Sequence, residues 1–375
     1  MCFAINLEGL ITFIMIKKKE GILISIMGFS QGGGEIMPVR LANYLKEKQY
    51  RVGLHCVNQN VDENIRGLLR ADIPVYYTDQ SWRFAAILVK HHYQYVHSHC
   101  VASQLLIART KRRIPFLKIC HVATLHGGYE GMEQKQAIEL IKKIDPFVQC
   151  WTYVANNNLP VLWKAAISSY KIRKVGNAMV RPNTVHPVDF HTYGIPDSAF
   201  VFTTITRAVS KKCWKECIEV VKAARKMTGY DIHLVIGGTG PLYDELKGAS
   251  LDSFVHLVGE ITRPCDYYAA SYCGLLLSIR ECAPLGLIEM YYAGIPVIAT
   301  DTGDIAEMMQ YDTQQTGILV PLMDNGAVPI QKSAESISKM VTDMEFYKIC
   351  AMAAKGKSNQ YGMEQVAEQY LKCFE

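Results

Sequence analysis

Two glutamates, Glu281 and Glu289, stand with seven residues between them in the segment SIRECAPLGLIEMYYAGIP that begins at Ser278. The apolar run Leu275–Ser278 reads as the end of a buried strand, and Leu287–Tyr292 reads as the first turns of a helix. The residues between are then a strand-to-helix loop whose unpaired N–H groups, with the positive end of the helix dipole, favour an anion. Glu281 falls on that loop and Glu289 inside the helix. Both accept hydrogen bonds only when ionised, which suits a hydroxyl-rich partner such as a ribose or hexose. An anion cradle flanked by two hydroxyl readers describes a nucleotide-sugar site, and the plain alternative is a strand-loop-helix with two solvated glutamates.

Other residues suit the same chemistry. Arg207 and Lys212, in TRAVSKKCW, follow a strand at what would be the C-terminal edge of a parallel sheet. A guanidinium fork and an ammonium there would neutralise a departing diphosphate; otherwise they are a surface pair at a helix start. His126, in TLHGG, ends another strand and reads either as a contact to a sugar hydroxyl or as a satisfied core histidine. The glycine run Gly32–Gly34 lets a substrate approach the backbone closely, but no G-x-G-x-x-G triple forms and no acidic residue closes the next strand. That weakens a nicotinamide-enzyme reading.

The elements that must position these residues alternate. Strand-like segments at GILISIMGFS, YRVGLHCV, QYVHSHC and KICHVATLHGG are separated by helix-length stretches. The pattern restarts at AFVFTTITRA, DIHLVIGGTG, SFVHLVGE, CGLLLS and GIPVIATD. Strands alternating with helices predict a parallel sheet covered on both faces, here twice. Three prolines in VRPNTVHPVDFHTYGIPDS mark the connection near residues 182–198. The expected division is an extension at 1–19, a first domain at 20–185, a second at 199–355 and a closing amphipathic helix at 356–375, with Met363, Val366, Tyr370 and Phe374 on one stripe.

A chain of 375 residues fits two domains. Residues 1–190 hold 24 Lys+Arg against 13 Asp+Glu, and residues 191–375 hold 16 against 22. The basic half suits an anionic partner such as a phospholipid surface or a lipid diphosphate; an accidental spread of solvated charge is the alternative. The basic cluster Arg109, Lys111, Arg112, Arg113 and Lys118, interrupted by Ile114–Leu117, suits a membrane surface better than duplex DNA, and no nucleic-acid motif is present. Twelve irregularly spaced cysteines predict free thiols in a reducing, cytoplasmic setting. His97, His99 and Cys100, and Cys213 with Cys217, lack a second ligand pair at zinc spacing, so no metal site is expected. Met1–Ile16 is too short to span a bilayer.

With these residues in view, the chain resembles the retaining glycosyltransferases of family 4, the group 1 type of lipopolysaccharide and capsule assembly, from about Gly28 to the end. The resemblance implies a GT-B fold: two Rossmann-like α/β/α domains whose parallel sheets face across a cleft, with a C-terminal helix, YGMEQVAEQYL, returning to the first. By the family's E-x7-E motif, Glu281 would contact the donor sugar and Glu289 the ribose. Amides of Ala283, Leu285 and Gly286 would hold diphosphate and sugar, and Arg207 and Lys212 would match the family's cation pair. Gly33 and Gly34 resemble its N-terminal glycine loop, His126 its sugar-contacting histidine, and Gly238, in IGGTGP, a position near the nucleotide. The resemblance further implies a UDP-, GDP- or ADP-sugar donor, no permanently bound cofactor and no metal. The acceptor would be lipid-linked or an oligosaccharide, reached as a peripheral protein of the inner membrane face.

The chain departs from the family where a Phe-Gly pair is common: it has Ala283 and Pro284, and proline offers no N–H. Thr206 and Cys213 stand where glycines are usual. Three other readings share these residues: a nucleotide-sugar epimerase of the same fold, a non-catalytic partner subunit, and the nicotinamide oxidoreductase disfavoured above.

Overall fold

The computed structural model describes residues 21–30 and 33–375; the expected extension at 1–19 and Gly32 lie outside them. The chain divides into two compact units, one of residues 1–153, 161–175 and 364–375, the other of residues 154–160 and 176–363.

The first unit alternates β1 (Gly21–Ile26), α1 (Gly33–Glu47), β2 (Arg51–Cys56), α2 (Glu63–Gly67), β3 (Val75–Tyr77), α3 (Ser81–Lys90), β4 (Tyr93–Ser98), α4 (Val101–Arg113), β5 (Cys120–Leu125), α5 (Gln134–Ile144), β6 (Cys150–Tyr153), α6 (Leu159–Lys164) and β7 (Ile172–Lys174). Its sheet runs β3-β2-β1-β4-β5-β6-β7, every pairing parallel. Strand β1, GILISI, is buried at every position. Such continuous apolar runs are what a parallel sheet covered on both faces requires.

The second unit repeats the design with β8 (Phe200–Ile205), α7 (Trp214–Thr228), β9 (Ile232–Gly237), α8 (Pro241–Lys247), β10 (Val255–Gly259), α9 (Pro264–Ala270), β11 (Cys273–Leu276), α10 (Leu285–Ala293), β12 (Val297–Thr300) and α11 (Ile305–Met309). The hairpin β13 (Gln310–Tyr311) and β14 (Gln314–Gln315), then β15 (Gly317–Val320), α12 (Ile330–Thr342) and α13 (Met344–Lys357) complete it. The sheet order is β10-β9-β8-β11-β12-β15, again all parallel. Helix α7 buries Trp214, Cys217, Ile218, Val221 and Ala224, a stripe at helical spacing, and ends at Gly229 with φ 71°. Helix α14 (Met363–Lys372) closes the chain, and the expected stripe of Met363, Val366, Tyr370 and Phe374 is buried.

In both sheets the order reverses beside the first strand, between β1 and β4 and between β8 and β11. At such a switch point the loops leaving the C-terminal strand ends diverge and open a crevice. Among the described residues the cysteines are free thiols, and no helix is long and apolar enough to cross a membrane.

The first unit's strands carry buried histidines, each tied to a neighbouring element. Ser25 Oγ lies 2.8 Å from His55 Nδ1, His55 Nε2 2.9 Å from the Thr78 carbonyl, and Ser98 Oγ 2.7 Å from His121 Nε2. Burial holds His55 down to about 4 and His121 to about 3, and pushes His97 well below the usual histidine range. In the unfolded chain the same groups bind a proton near pH 6.5. Below that pH the unfolded state therefore binds more protons than the folded one, and stability falls as pH drops from about 6.5 towards 4. Each such histidine contributes a slope of at most about 1.4 kcal/mol per pH unit. Urea midpoints at pH 7.5, 6.5, 5.5 and 5.0 should decline steadily below 6.5, and a flat series would show that these imidazoles are charged in the fold.

Candidate functional site

The residues singled out by the sequence fall into two groups, one at the switch point of each sheet. In the second unit, Arg207 follows β8, and Lys212 ends a single 3-10 turn, Ser210–Lys212, just before α7. Glu281 lies on the loop after β11, Glu289 inside α10, and Gly238 directly after β9. Because β8 and β11 are neighbours, their loops meet: the Lys212 Nζ donates to Glu281 Oε1, with side chains only 12% and 10% exposed. The Ile279 N–H donates to the Lys211 carbonyl at 3.0 Å and ties the two loops again. Arg207 stays exposed.

The ion pair sits among further cations. Burial, then the charges of Arg207 and Lys212, holds the Lys211 ammonium below its ordinary value; Arg280 adds to that shift and Glu281 opposes it. Lys211 and Arg280 were not singled out from sequence, although SKKCW and SIRE display them. Among the charges acting on Lys211, the cations Arg207, Lys212 and Arg280 outnumber the carboxylate Glu281, a balance that favours an anion.

The loop from Glu281 to Gly286 is held from several sides. The Asn157 amide donates to the Glu281 carbonyl at 3.3 Å, the Asn177 amide to the Ala283 carbonyl at 2.7 Å, and the Asp304 N–H to the Cys282 carbonyl at 2.8 Å. Asp304 in turn accepts from the Asn156 N–H at 2.7 Å. Gly303, at φ 60°, passes so close that a Cβ would lie 2.5 Å from the Glu281 carbonyl oxygen. Sequence reasoning missed the asparagines: Asn156 and Asn157 stand in the NNN triplet at 156–158, which shows the residues but not their contacts, and nothing local marks Asn177. Helix α10 starts at Leu285, with Pro284 as an N-cap that makes no side-chain cap bond. The first-turn amides at Leu285 and Gly286 have no partner within the helix. Gly286 lies beside Tyr268, whose hydroxyl accepts the Ile205 N–H at 3.2 Å. Burial and then the charge of Glu289 raise the Tyr268 phenol well above its usual value.

Thr206 and Cys213 frame the turn that carries Arg207 and Lys212. Cys213 adopts φ 54°, a left-handed conformation that costs a side-chain-bearing residue about 1–2 kcal/mol. Its burial at 2% exposure offsets that cost. Thr206 accepts a hydrogen bond from the buried Trp214 indole at 2.8 Å, which fixes the turn carrying Arg207 and Lys212. Gly238 has φ 131°, and a Cβ there would fall 1.9 Å from the Thr206 carbonyl oxygen.

In the first unit, Gly33 and Gly34 open α1 after β1, and His126 follows β5. A Cβ on Gly34 would meet the His126 Cβ at 3.5 Å, so the helix start and the histidine are brought together. Burial holds His126 down to about 4. Its Nε2 lies 2.8 Å from Nδ1 of His99, the residue after β4's Ser98.

The turn before α7 yields a direct test. Thr206→Val keeps the shape but leaves the buried indole N–H of Trp214 unpaired. The variant should lose about 1–3 kcal/mol of stability in urea titration, whereas Thr206→Ser should lose less than half of that.

Residues 199–343 match the family described as Glycosyl transferases group 1. Over 183 residues the chain is 26% identical to N-acetyl-alpha-D-glucosaminyl L-malate synthase of Bacillus anthracis, covering 48% of this chain and 46% of that protein. Over 148 residues it is 28% identical to the exopolysaccharide phosphotransferase SCO2592 of Streptomyces coelicolor, covering 38% and 15%. The chain thus spans less than half the length of the curated relatives it matches. The Anabaena HepE protein in complex with UDP superposes with a TM-score of 0.78 at 15% identity, over 94% of this chain and 98% of HepE. Its complex with UDP-glucose gives 0.77. Two parallel-sheet α/β units with this strand order and these structural neighbours make the fold that of GT-B glycosyltransferases, with a Glycosyl transferases group 1 match over residues 199–343.

Proposed function

We propose that the protein is a nucleotide-sugar-dependent glycosyltransferase that moves a hexose-type sugar, with retained anomeric configuration, to a hydroxyl acceptor in surface polysaccharide assembly. The observation that carries this reading is the meeting of Lys212 with Glu281 beside the uncapped start of α10. The complexes of HepE with UDP and UDP-glucose favour a UDP-sugar as donor. Retention rests on the resemblance of Glu281 and Glu289 to the E-x7-E motif of family 4.

In this scheme the diphosphate lies against the amides of Ala283, Leu285 and Gly286, with Gly238 allowing the nucleotide close to the backbone. Glu289 accepts from the ribose hydroxyls and Glu281 orients the sugar; to His126, beside the Gly33–Gly34 loop of the first unit, the family resemblance assigns a contact to a sugar oxygen. The bond from the anomeric carbon to the diphosphate oxygen breaks with its electron pair leaving on phosphate. Arg207 and Lys212 stabilise that charge, and preorganised cations of this kind act most strongly where water is excluded. The acceptor oxygen bonds to the same face of the sugar, and its proton goes to the departing phosphate oxygen. No permanent cofactor or metal enters the scheme. The lipid-linked or oligosaccharide acceptor is assigned to the first unit. There the exposed Arg112, Arg113, Phe116 and Lys118 suit an anionic membrane surface in the cytoplasm.

Thermal denaturation against UDP, GDP, ADP and their glucose conjugates tests the donor. A ligand at 100 times its dissociation constant adds about 2.7 kcal/mol, so a UDP compound should raise the midpoint by several degrees, and no response to any of them would overturn the reading. With UDP-glucose, Arg207→Ala and Lys212→Ala should each slow UDP release about 100-fold or more. Glu289→Ala should mainly raise KM for the donor, by about tenfold. Full activity in any of the three would remove that residue from the site.

A further inference from the structure

The pairing of His126 with His99 was not legible from either residue alone. His99 is 4% exposed, its ring lies 5.1 Å from that of His126 at an interplanar angle of 28°, and its Nδ1 is the only hydrogen-bond partner of His126 Nε2 among the described residues. Burial pushes His99 well below the usual histidine range, as it does His126, so near neutral pH both rings carry one proton each. Two neutral imidazoles joined by one hydrogen bond have two arrangements.

His99 discriminates between them, because its other nitrogen, Nε2, is buried without a partner. If His126 donated from Nε2, His99 would accept at Nδ1 and carry its proton on Nε2, as an orphaned buried N–H. In the other arrangement His99 donates from Nδ1 and leaves only a bare lone pair at Nε2. Orphaned donors are the rarer defect in folded proteins. His126 then accepts at Nε2 and carries its own proton on Nδ1, which has no hydrogen-bond partner among the described residues. Packing restrains the His99 ring: His97 lies 4.0 Å from it at a tilt of 46° and is itself held by Thr124 at 2.7 Å and by the Tyr370 ring at 4.5 Å.

We propose that His99 is a positioning residue that fixes His126 in the Nδ1–H tautomer, so that His126 meets an oxygen of its ligand as a hydrogen-bond donor. That the oxygen belongs to a donor sugar rests on the transferase reading; the tautomer does not.

The test uses the full chain labelled with 15N-histidine, with His99 and His126 resonances assigned from single variants. Two-bond proton–nitrogen correlation at pH 7.5 should show His99 and His126 both protonated at Nδ1, and a protonated Nε2 on His126 would overturn the proposal. In parallel, UDP release from UDP-glucose is followed in His99→Leu and His99→Asn. The asparagine amide stands where imidazole Nδ1 stands and can still donate. His99→Leu should lower kcat about tenfold, the value of one well-placed hydrogen bond in the transition state. KM for UDP-glucose should change less than twofold, and His99→Asn should recover most of the loss. Equal losses in both variants, or full activity in His99→Leu, would overturn it. If His99→Leu does not fold, the wild-type spectrum and His99→Asn decide. If the wild-type protein releases UDP from no UDP-sugar, the functional reading falls, while the spectrum still decides the tautomer.

Discussion

The ion pair of Lys212 with Glu281 is the constraint on which the second unit's arrangement depends. Its side chains are nearly shut from water, so each charge would be costly alone, and together they hold the loop after β8 against the loop after β11. Arg207, Lys211 and Arg280 crowd the same corner. Without the carboxylate their mutual repulsion would push the loops apart. The strand order creates this demand, because β8 and β11 are the neighbours between which the sheet reverses. The backbone bond from Ile279 to Lys211 then fixes the register of the two loops.

The two units meet one topological problem with opposite electrostatics. At the switch point of the second, charged groups gather and partly cancel. At that of the first, beside Gly34, the groups are imidazoles that burial keeps uncharged. The first unit's positive charge is carried elsewhere, at the exposed end of α4. A corner lined by neutral rings can hold its hydrogen bonds without attracting anions, whereas the corner near Arg207 draws them. This division suits a proposed reaction in which the corner near Arg207 takes the charged nucleotide and the imidazole corner meets an uncharged sugar oxygen.

Strands β1, β2, β4, β5, β8, β9, β10, β11 and β12 were legible as β-prone segments in regular alternation with helix-length stretches, most of them largely apolar. Strands β3 and β7 were not: each has three residues at the sheet edge, mostly half-exposed, and neither presents a run. Strand β6, CWTY, and β15, GILV, were not legible as strands either, although β11 and β12 are just as short. In the candidate site, Arg207, Lys212, Glu281 and Glu289 were picked out by type and spacing, whereas Lys211 and Arg280 were not. Asn157 and Asn177 were not legible either, because each acts by donating to a backbone carbonyl more than 100 residues away, a contact that no local pattern encodes. The bond between His99 and His126 depends on β4 and β5 lying side by side, which follows from topology alone.

The turn before α7 is held by residues that bear side chains. Cys213 takes up the left-handed turn that a glycine would make without strain, and its burial stabilises what the conformation costs. Thr206 adds a hydrogen bond that a glycine lacks, so the turn before α7 is braced at both ends. Pro284 works differently, because its missing N–H removes a donor from the loop while its fixed φ of −69° directs the chain into α10. The neighbouring Ala283 carbonyl is turned away to Asn177, which leaves Leu285 and Gly286 as the first amides the helix presents to an anion. In the proposed reaction the first turn of α10 therefore meets the donor together with the Ala283 amide, at Gly286 between the end of β8 and the Tyr268 hydroxyl.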